Sequence, residues 1–345
     1  MKQFIFLIFL TGISCGATPL VPLPIDESQP QNSPDYKLIR VESSTQLKKA
    51  LAEARPGDSI VVAPGKYEGR FILSKSGTET QPIVVEGTGT TTILDAGDTN
   101  TGYVFHLQGN HCKIKKMTLQ NGLKGFMADN ASFNTLAYLT VKNIGEEAIH
   151  LRKFSSHNVV QHCNVSDTGL KRPGYGEGIY IGTANSNWAK YTDREPDKCD
   201  YNTVIYNKIG PGITAECIDI KEGTSYGLIA YNEFYADGIS GENYADSWLD
   251  VKGNSYKIEH NQGYHDGSNA NFLDGIQVNC AYEGWGSYNI FRNNGFQVNA
   301  PGYAVNVRLK SSKGEAVGNI IDHTNEQEGA QKGLTNITNI TITNK

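Results

Sequence analysis

Short apolar pairs separated by a single residue recur along most of the chain. They read "FHL" from Phe105, "IHL" from Ile149, "IYI" from Ile179 and "IDI" from Ile218, then "LDV" from Leu249, "IQV" from Ile276 and "VNV" from Val305. Alternation with a period of two is the signature of a strand that buries one face. Each later triplet is followed by a second strand that ends in an asparagine: Asn207, Asn232, Asn261, Asn293 and Asn319, at spacings of 25, 29, 32 and 26 residues. In earlier repeats the same place is taken by Met117, Leu139 and Cys163. A period of roughly 20–30 residues built from brief strands and turns fits a solenoid of parallel strands, and leaves no room for a helical repeat. The pattern therefore predicts an all-β chain, a right-handed parallel β-helix of about nine coils. Its asparagines would stack at a turn and bond to one another along the axis.

One stretch departs from the strand period. "SSTQLKKALAEARPGD" places Leu47, Leu51 and Ala54 on a helical stripe, with Ser44 or Thr45 able to cap it. A β-helix must cover its open end against edge-to-edge pairing, so this N-terminal helix is expected to be the cap.

The first residues differ again. A charged start, the apolar run Phe4–Leu10 and "TGISC" ending at Cys15 describe an export signal over residues 1–14. Cys15 sits where a bacterial lipoprotein is lipidated, although Gly12 stands where leucine is usual; an ordinary secretory signal is the alternative. Residues 15–35 are rich in Pro and Ser and read as a flexible tether, leaving 36–345 as a single β-helix domain. The expected location is the cell surface or periplasm, with membrane contact only through the lipid, or the secreted fraction without it. No interior apolar run reaches the length of a membrane span.

Composition adds exclusions. A net charge of −5 over 345 residues gives no reason to expect nucleic-acid binding. Cys112, Cys163, Cys199, Cys217 and Cys280 show no metal-type spacing and are odd in number, so neither a disulfide framework nor a cysteine metal site is expected.

Aligning the triplets stacks their outward residues. His150, Tyr180, Asp219, Asp250, Gln277 and Asn306 fall in one column, and Arg152, Gly182, Lys221, Lys252, Asn279 and Arg308 in another. A third column, just before the strands, holds Glu147, Glu177, Glu216, Ser247 and Asp274. Acids entering a strand often serve turn amides, so most of this third column reads as structural, with Glu216 the exception. Between coils, "SDTGLKRPGYGEG" and "TANSNWAKYTDREPDKCD" mix cations with aromatics, including Trp188, which suits either sugar stacking or packing.

"ALAEARPGDSIVVAPGKYEGRFILSKSGTETQPIVVEG" resembles the N-terminal segment of the pectin-lyase-like β-helical polysaccharide lyases, nearest the group of alginate lyases and chondroitinase B, with pectate lyases next. In that group a calcium-binding Glu precedes a catalytic Lys by five residues, the spacing of Glu216 and Lys221 here. The next coil carries Lys252 where the group has Arg, and Thr214 stands where a second Glu would be.

The resemblance implies cleavage of an acidic polysaccharide by a lyase, with Ca²⁺ held by Glu216; Glu177, one coil before it, is the expected second ligand, and the chain is expected to act as a monomer. Lys221 is then the base that removes the C5 proton, its pKa lowered by Lys252, and Lys252 neutralises the uronate carboxylate or assists the leaving oxygen. Asp219 and Asp250 work against that shift, since carboxylates beside the lysines keep their pKa values high, and a structural ion-pair lattice is the opposing reading. His150, Arg152, Tyr180, Asp219, Asp250, Trp188 and Arg308 are the expected substrate contacts. Two other readings stay open. Asp219 and Asp250, one strand apart, have the separation of a retaining glycosidase pair. The strip could also hold a glycan without cutting it. The sugar, and endo or exo action, are not specified by these residues.

Overall fold

The computed structural model describes residues 37–338, so the expected export signal, Cys15 and the tether lie outside the described residues. Nine strands form the face that matters for function. They are β1 (Phe71–Leu73), β2 (Tyr103–Leu107), β3 (Lys124–Asp129), β4 (Ile149–Arg152), β5 (Ile179–Ile181), β6 (Ile218–Ile220), β7 (Leu249–Val251), β8 (Ile276–Asn279) and β9 (Val305–Arg308). Each pairs in parallel with the next along the axis, one strand per coil. The rest of the coil wall is a 19-stranded sheet that turns a corner through the long strands Cys112–Gly122 and Thr135–Ile144. The hairpin Lys310–Ser311/Gly314–Glu315 is an antiparallel exception on the functional side.

The apolar pairs point into one continuous core. Ile149, Leu151, Ile179, Ile181, Ile218, Ile220, Leu249 and Val251 are wholly buried, so the residue between each pair must face out. One coil escapes the sequence pattern. In β3 the outward residue between Phe126 and Ala128 is Met127, itself apolar, so no alternation shows there. That coil brings Lys124 and Asp129 to the functional face.

The asparagine ladder exists with a corrected register. Each of Asn207, Asn232, Asn261 and Asn294 donates its backbone N–H to the Oδ1 of the next, ending at Asn325, over 2.9–3.2 Å. Asn293 lies one residue outside it, with φ 54°, and Asn319 belongs to a second ladder. That second ladder runs Asn134, Asn158, Asn202, then Asn289 and Asn319. It is interrupted where Gly227 leaves room for the ring of Tyr256; a Cβ there would sit 2.2 Å from Cε1. Outside the first ladder the rings of Tyr138, His162, Tyr206, Tyr231 and His260 stack at 4.8–5.0 Å.

Helix α1 (Ser44–Glu53) packs Leu47 and Leu51 against the first strands and is capped by Ser43 rather than Ser44 or Thr45, its hydroxyl accepting the N–H of Gln46. The five described cysteines are free and buried, small apolar groups in effect.

Candidate active site

Strand register places His150, Tyr180, Asp219 and Asp250 side by side across four coils, continuing to Gln277 and Asn306. Two residues further on come Asp129, Arg152, Gly182, Lys221, Lys252, Asn279 and Arg308. The acidic column is headed by Lys124, followed by Glu147, Glu177 and Glu216. Loops wall this floor on both sides. Pro173–Tyr175 and Glu242–Tyr244 pack together on one side, tied by Asn243 Nδ2 to the Gly174 carbonyl at 3.0 Å. On the other side stand α2 (Trp188–Tyr191) and the segments near Ala281 and Ser311. The result is two adjoining clefts of about 580 and 520 Å³ that share Glu177, Lys221 and Asn243.

In the first cleft Asp129 grips Arg152 with two bonds of 2.7 and 3.0 Å and also meets His106 Nε2 at 3.1 Å. Arg152 in turn lies 4.1 Å from the ring centroid of Tyr191. His150 is fully enclosed; burial, then Arg152 and Lys124, push its pKa well below 6.5. It is therefore neutral, its proton is on Nε2, and that N–H donates to the Gly182 carbonyl at 2.9 Å. Its Nδ1 is buried without a hydrogen-bond partner. Tyr180 lies between the His150 ring, 4.4 Å away, and Lys221 Nζ, 4.8 Å from its centroid. Burial, then Asp219 and Glu177, hold the Tyr180 phenol protonated. Tyr191 shifts the other way: burial raises it, but Lys190, Arg152 and Lys124 outweigh burial and bring it below 10. Lys124 contacts Glu147 and, at 2.9 Å, Glu146, which also pairs with Arg172. Burial pulls Lys124 down to about 7, whereas the touching carboxylates of Glu146 and Glu147 favour the ammonium. Contact at that range decides, and the group is an ion cluster.

The second cleft overturns one expectation. Burial alone would lower Lys221, but Asp219, Glu177 and Asp250 outweigh it and raise the pKa above 10.5. Lys252 is raised in the same way by Asp219 and Asp250. Lys221 touches Asp219; Lys252 touches Asp250 and reaches Asp219 Oδ1 at 2.9 Å. Lys221 is thus an ammonium with no lone pair to accept a proton, and the expectation that Lys252 lowers its pKa fails because the aspartates win. The same pairs decide the glycosidase reading. Burial raises Asp219, yet the two lysines hold it below the usual carboxylate range, which is wrong for a general acid.

Four carboxylates (Glu177, Glu216, Asp219 and Asp250) meet two ammoniums here. Burial, then Asp219, pushes Glu177 up to about 7 and Glu216 well above 4.5. For the calcium that the resemblance implies, Glu177, Glu216 and Asp219 each offer an oxygen, all within 4.8 Å of one another. Both oxygens of Asp219 are already engaged by ammoniums, however. The donor set does not fit a divalent ion as it stands.

Other expected contacts fall differently. Trp188 is 5% exposed, donates Nε1–H to the Thr183 carbonyl at 2.8 Å and packs edge-on to Tyr282, so it builds the wall and offers no ring face to a sugar. Its neighbours Lys190 and Tyr191 reach the cleft instead. In the turn after Tyr264, His265 is buried against Phe272, with Nδ1 bonded to the Val298 carbonyl. Asp274 holds Gln277, Asn306 and the Tyr303 N–H, the structural role expected of that column. Arg308 is exposed at the far end of the second cleft. Sequence reasoning missed Lys124 and Asp129, because β3 hides its period, and had Tyr191 only as one of the loop aromatics; the α2 turn aims it into the cleft.

A right-handed parallel β-helix with a walled, ion-lined groove across its strands defines the class. The description "Pel9A-like, right handed beta helix region" matches residues 33–186. An alginate lyase from Paenibacillus sp. str. FPU-7 is 34% identical, covering 86% of this chain and 97% of its own, with a TM-score of 0.79. Pectate lyase Pel9A (15% identity, 82% and 80% covered, TM-score 0.54) and the PL6-family alginate lyase AlyGC (17%, 79% and 40%, 0.52) share the fold. No curated protein matches. The chain belongs to the right-handed β-helix family of polysaccharide lyases, together with the Paenibacillus enzyme.

Proposed function

We propose that the protein cleaves a uronate-containing polysaccharide by β-elimination in the first cleft, with an alginate-type chain as the first substrate to try, given the name of its 34%-identical relative. The observation that carries this reading is the lining of the first cleft, where Lys124, Arg152, Lys190 and Lys221 surround a space that Tyr180 and Tyr191 also reach. A carboxylate seated there meets a guanidinium and ammoniums at once. Neutralising that carboxylate makes the C5 proton acidic, since the electrons released on its removal spread into the carboxyl group.

Proton transfer then falls to two tyrosines whose surroundings push them apart, a pattern that marks acid–base pairs. Tyr191, drawn toward phenolate by cations, takes the C5 proton; the C–H pair becomes the C4=C5 double bond; O4 leaves with the proton of Tyr180. His150 cannot take the proton from substrate, because its Nδ1 is enclosed. It acts as a positioning residue that holds Gly182 and Tyr180. Asp129 fixes Arg152, and Asp219 with Asp250 fixes the lysines, so these acids orient cations and do not touch sugar. Lys252, Asn279 and Arg308 in the second cleft supply adjoining subsites.

The test is digestion in heavy-oxygen water followed by mass spectrometry. Elimination yields unsaturated ends and no heavy oxygen, whereas hydrolysis would place heavy oxygen in every new reducing end and return the chemistry to Asp219 and Asp250. The leader over residues 1–14 and Cys15 further support an exported, lipid-anchored enzyme. Metabolic labelling with a fatty acid, lost on Cys15→Ala, checks that.

A further inference from the structure

The geometry points to a cation slot in the second cleft that the chain fills with its own ammoniums, so that the native protein takes no divalent ion there. Glu177, Glu216 and Asp219 converge as a calcium site does, with one oxygen each inside 4.8 Å. Glu177 is 3% exposed and its Oε2 has no hydrogen-bond partner, so this is a place built to face a cation and not a chance surface cluster. Calcium needs six to eight oxygens, about 2.3–2.6 Å away. Asp219, the central carboxylate, gives one oxygen to Lys221 and the other to Lys252. Lys252 also takes Asp250, and Asp250 accepts Asn279 Nδ2 at 2.6 Å on its other oxygen. A divalent ion would have to displace two enclosed ammoniums or sit beside them, where like charges at such range repel strongly.

The inference turns on Lys252, whose Nζ links Asp219 to Asp250. Removing that charge while keeping the stem frees Asp219 Oδ1 and one Asp250 oxygen. The expected result is a calcium site in the variant: Glu177, Glu216, Asp219 and Asp250 around one ion.

Calcium titration by calorimetry, with melting temperature followed against calcium concentration, tests this on the wild type and on Lys252→Met. Binding is read directly, so a failure of the elimination chemistry cannot be mistaken for a failure here. The wild type is expected to show no heat of binding and no shift in Tm. Lys252→Met should bind one calcium at least ~10-fold more tightly, with a Tm that climbs with the logarithm of calcium concentration. Two results would overturn the inference. One is a wild-type site with a Kd of about 10⁻⁴ M or tighter that disappears in Glu177→Gln. The other is a folded Lys252→Met that gains no calcium affinity. Should that variant not fold, Lys252→Gln replaces it, and the wild-type titration decides alone in either case.

Discussion

The corner ladders and the functional strip are made by the same coils, yet they are built on opposite rules. At the corner, like stacks on like. Asn232 accepts from Asn207, donates its N–H to Asn261 and sends Nδ2 to the Val204 carbonyl, so its Oδ1 and its N–H are each met by an asparagine one coil away. On the strip, neighbouring coils carry unlike groups: neutral His150, protonated Tyr180, ionised Asp219. Repetition settles a structural need once and applies it along the axis. A reaction centre instead needs several different groups at one spot, and only a broken column can supply them. Gly182 is the clearest break, a missing side chain between two cations.

Mutations that spare the ladder but touch the strip should separate activity from stability. Tyr191→Phe removes the proposed base and is expected to lower turnover by ~10²–10⁴-fold with the melting temperature unchanged. Lys221→Met should lower it by ~10²–10³-fold through loss of carboxylate neutralisation. Initial rates on a uronate polymer, alongside a thermal melt, check both.

The opposite signature is expected at the corner. Asn232→Ala strands the Asn207 N–H, its side-chain amide and the Val204 carbonyl, and should cost about 3 kcal/mol of stability with turnover per folded molecule intact. Urea unfolding measures it.

The strip also carries a pH signature that the ladder lacks. Glu177 is raised in the folded protein from 4.5 to about 7. The folded state therefore binds its proton more tightly than the unfolded chain does. The stability this contributes is fully present below pH 4.5 and is lost as pH rises toward 7. Asp246, raised mainly by burial to about 6, adds in the same direction. Unfolding free energy against pH should fall across this window, and Glu177→Gln should flatten the fall. The smallest effect is expected at the end of the groove, where Arg308→Ala should raise KM a few-fold with little change in kcat.

How much of this could be read from residues follows the same division. The ladders and the apolar pairs were legible because they repeat, and the columns His150–Asp250 and Arg152–Arg308 follow from strand alternation alone. Register at Asn293 and Asn319 slipped, since adjacent asparagines (Asn293 and Asn294) and a second ladder offer equal matches by spacing. Lys124 was hidden by Met127. The charge state of Lys221 was half legible: the opposing pulls of Lys252 and of Asp219 with Asp250 show in the columns, but which dominates depends on contacts of a few ångströms, which strand spacing does not resolve. Tyr191 and the burial of Trp188 depend on one turn of helix in a loop that follows no repeat.

The measurement that bears most directly on the account is ultraviolet absorbance of the purified protein with alginate, pectate and glucuronan, comparing the wild type with Tyr191→Phe. The account predicts a rising unsaturated-uronate signal on at least one polymer that the variant nearly abolishes. A wild-type rate retained in Tyr191→Phe, or no absorbance from any of the polymers while reducing ends accumulate, would contradict it.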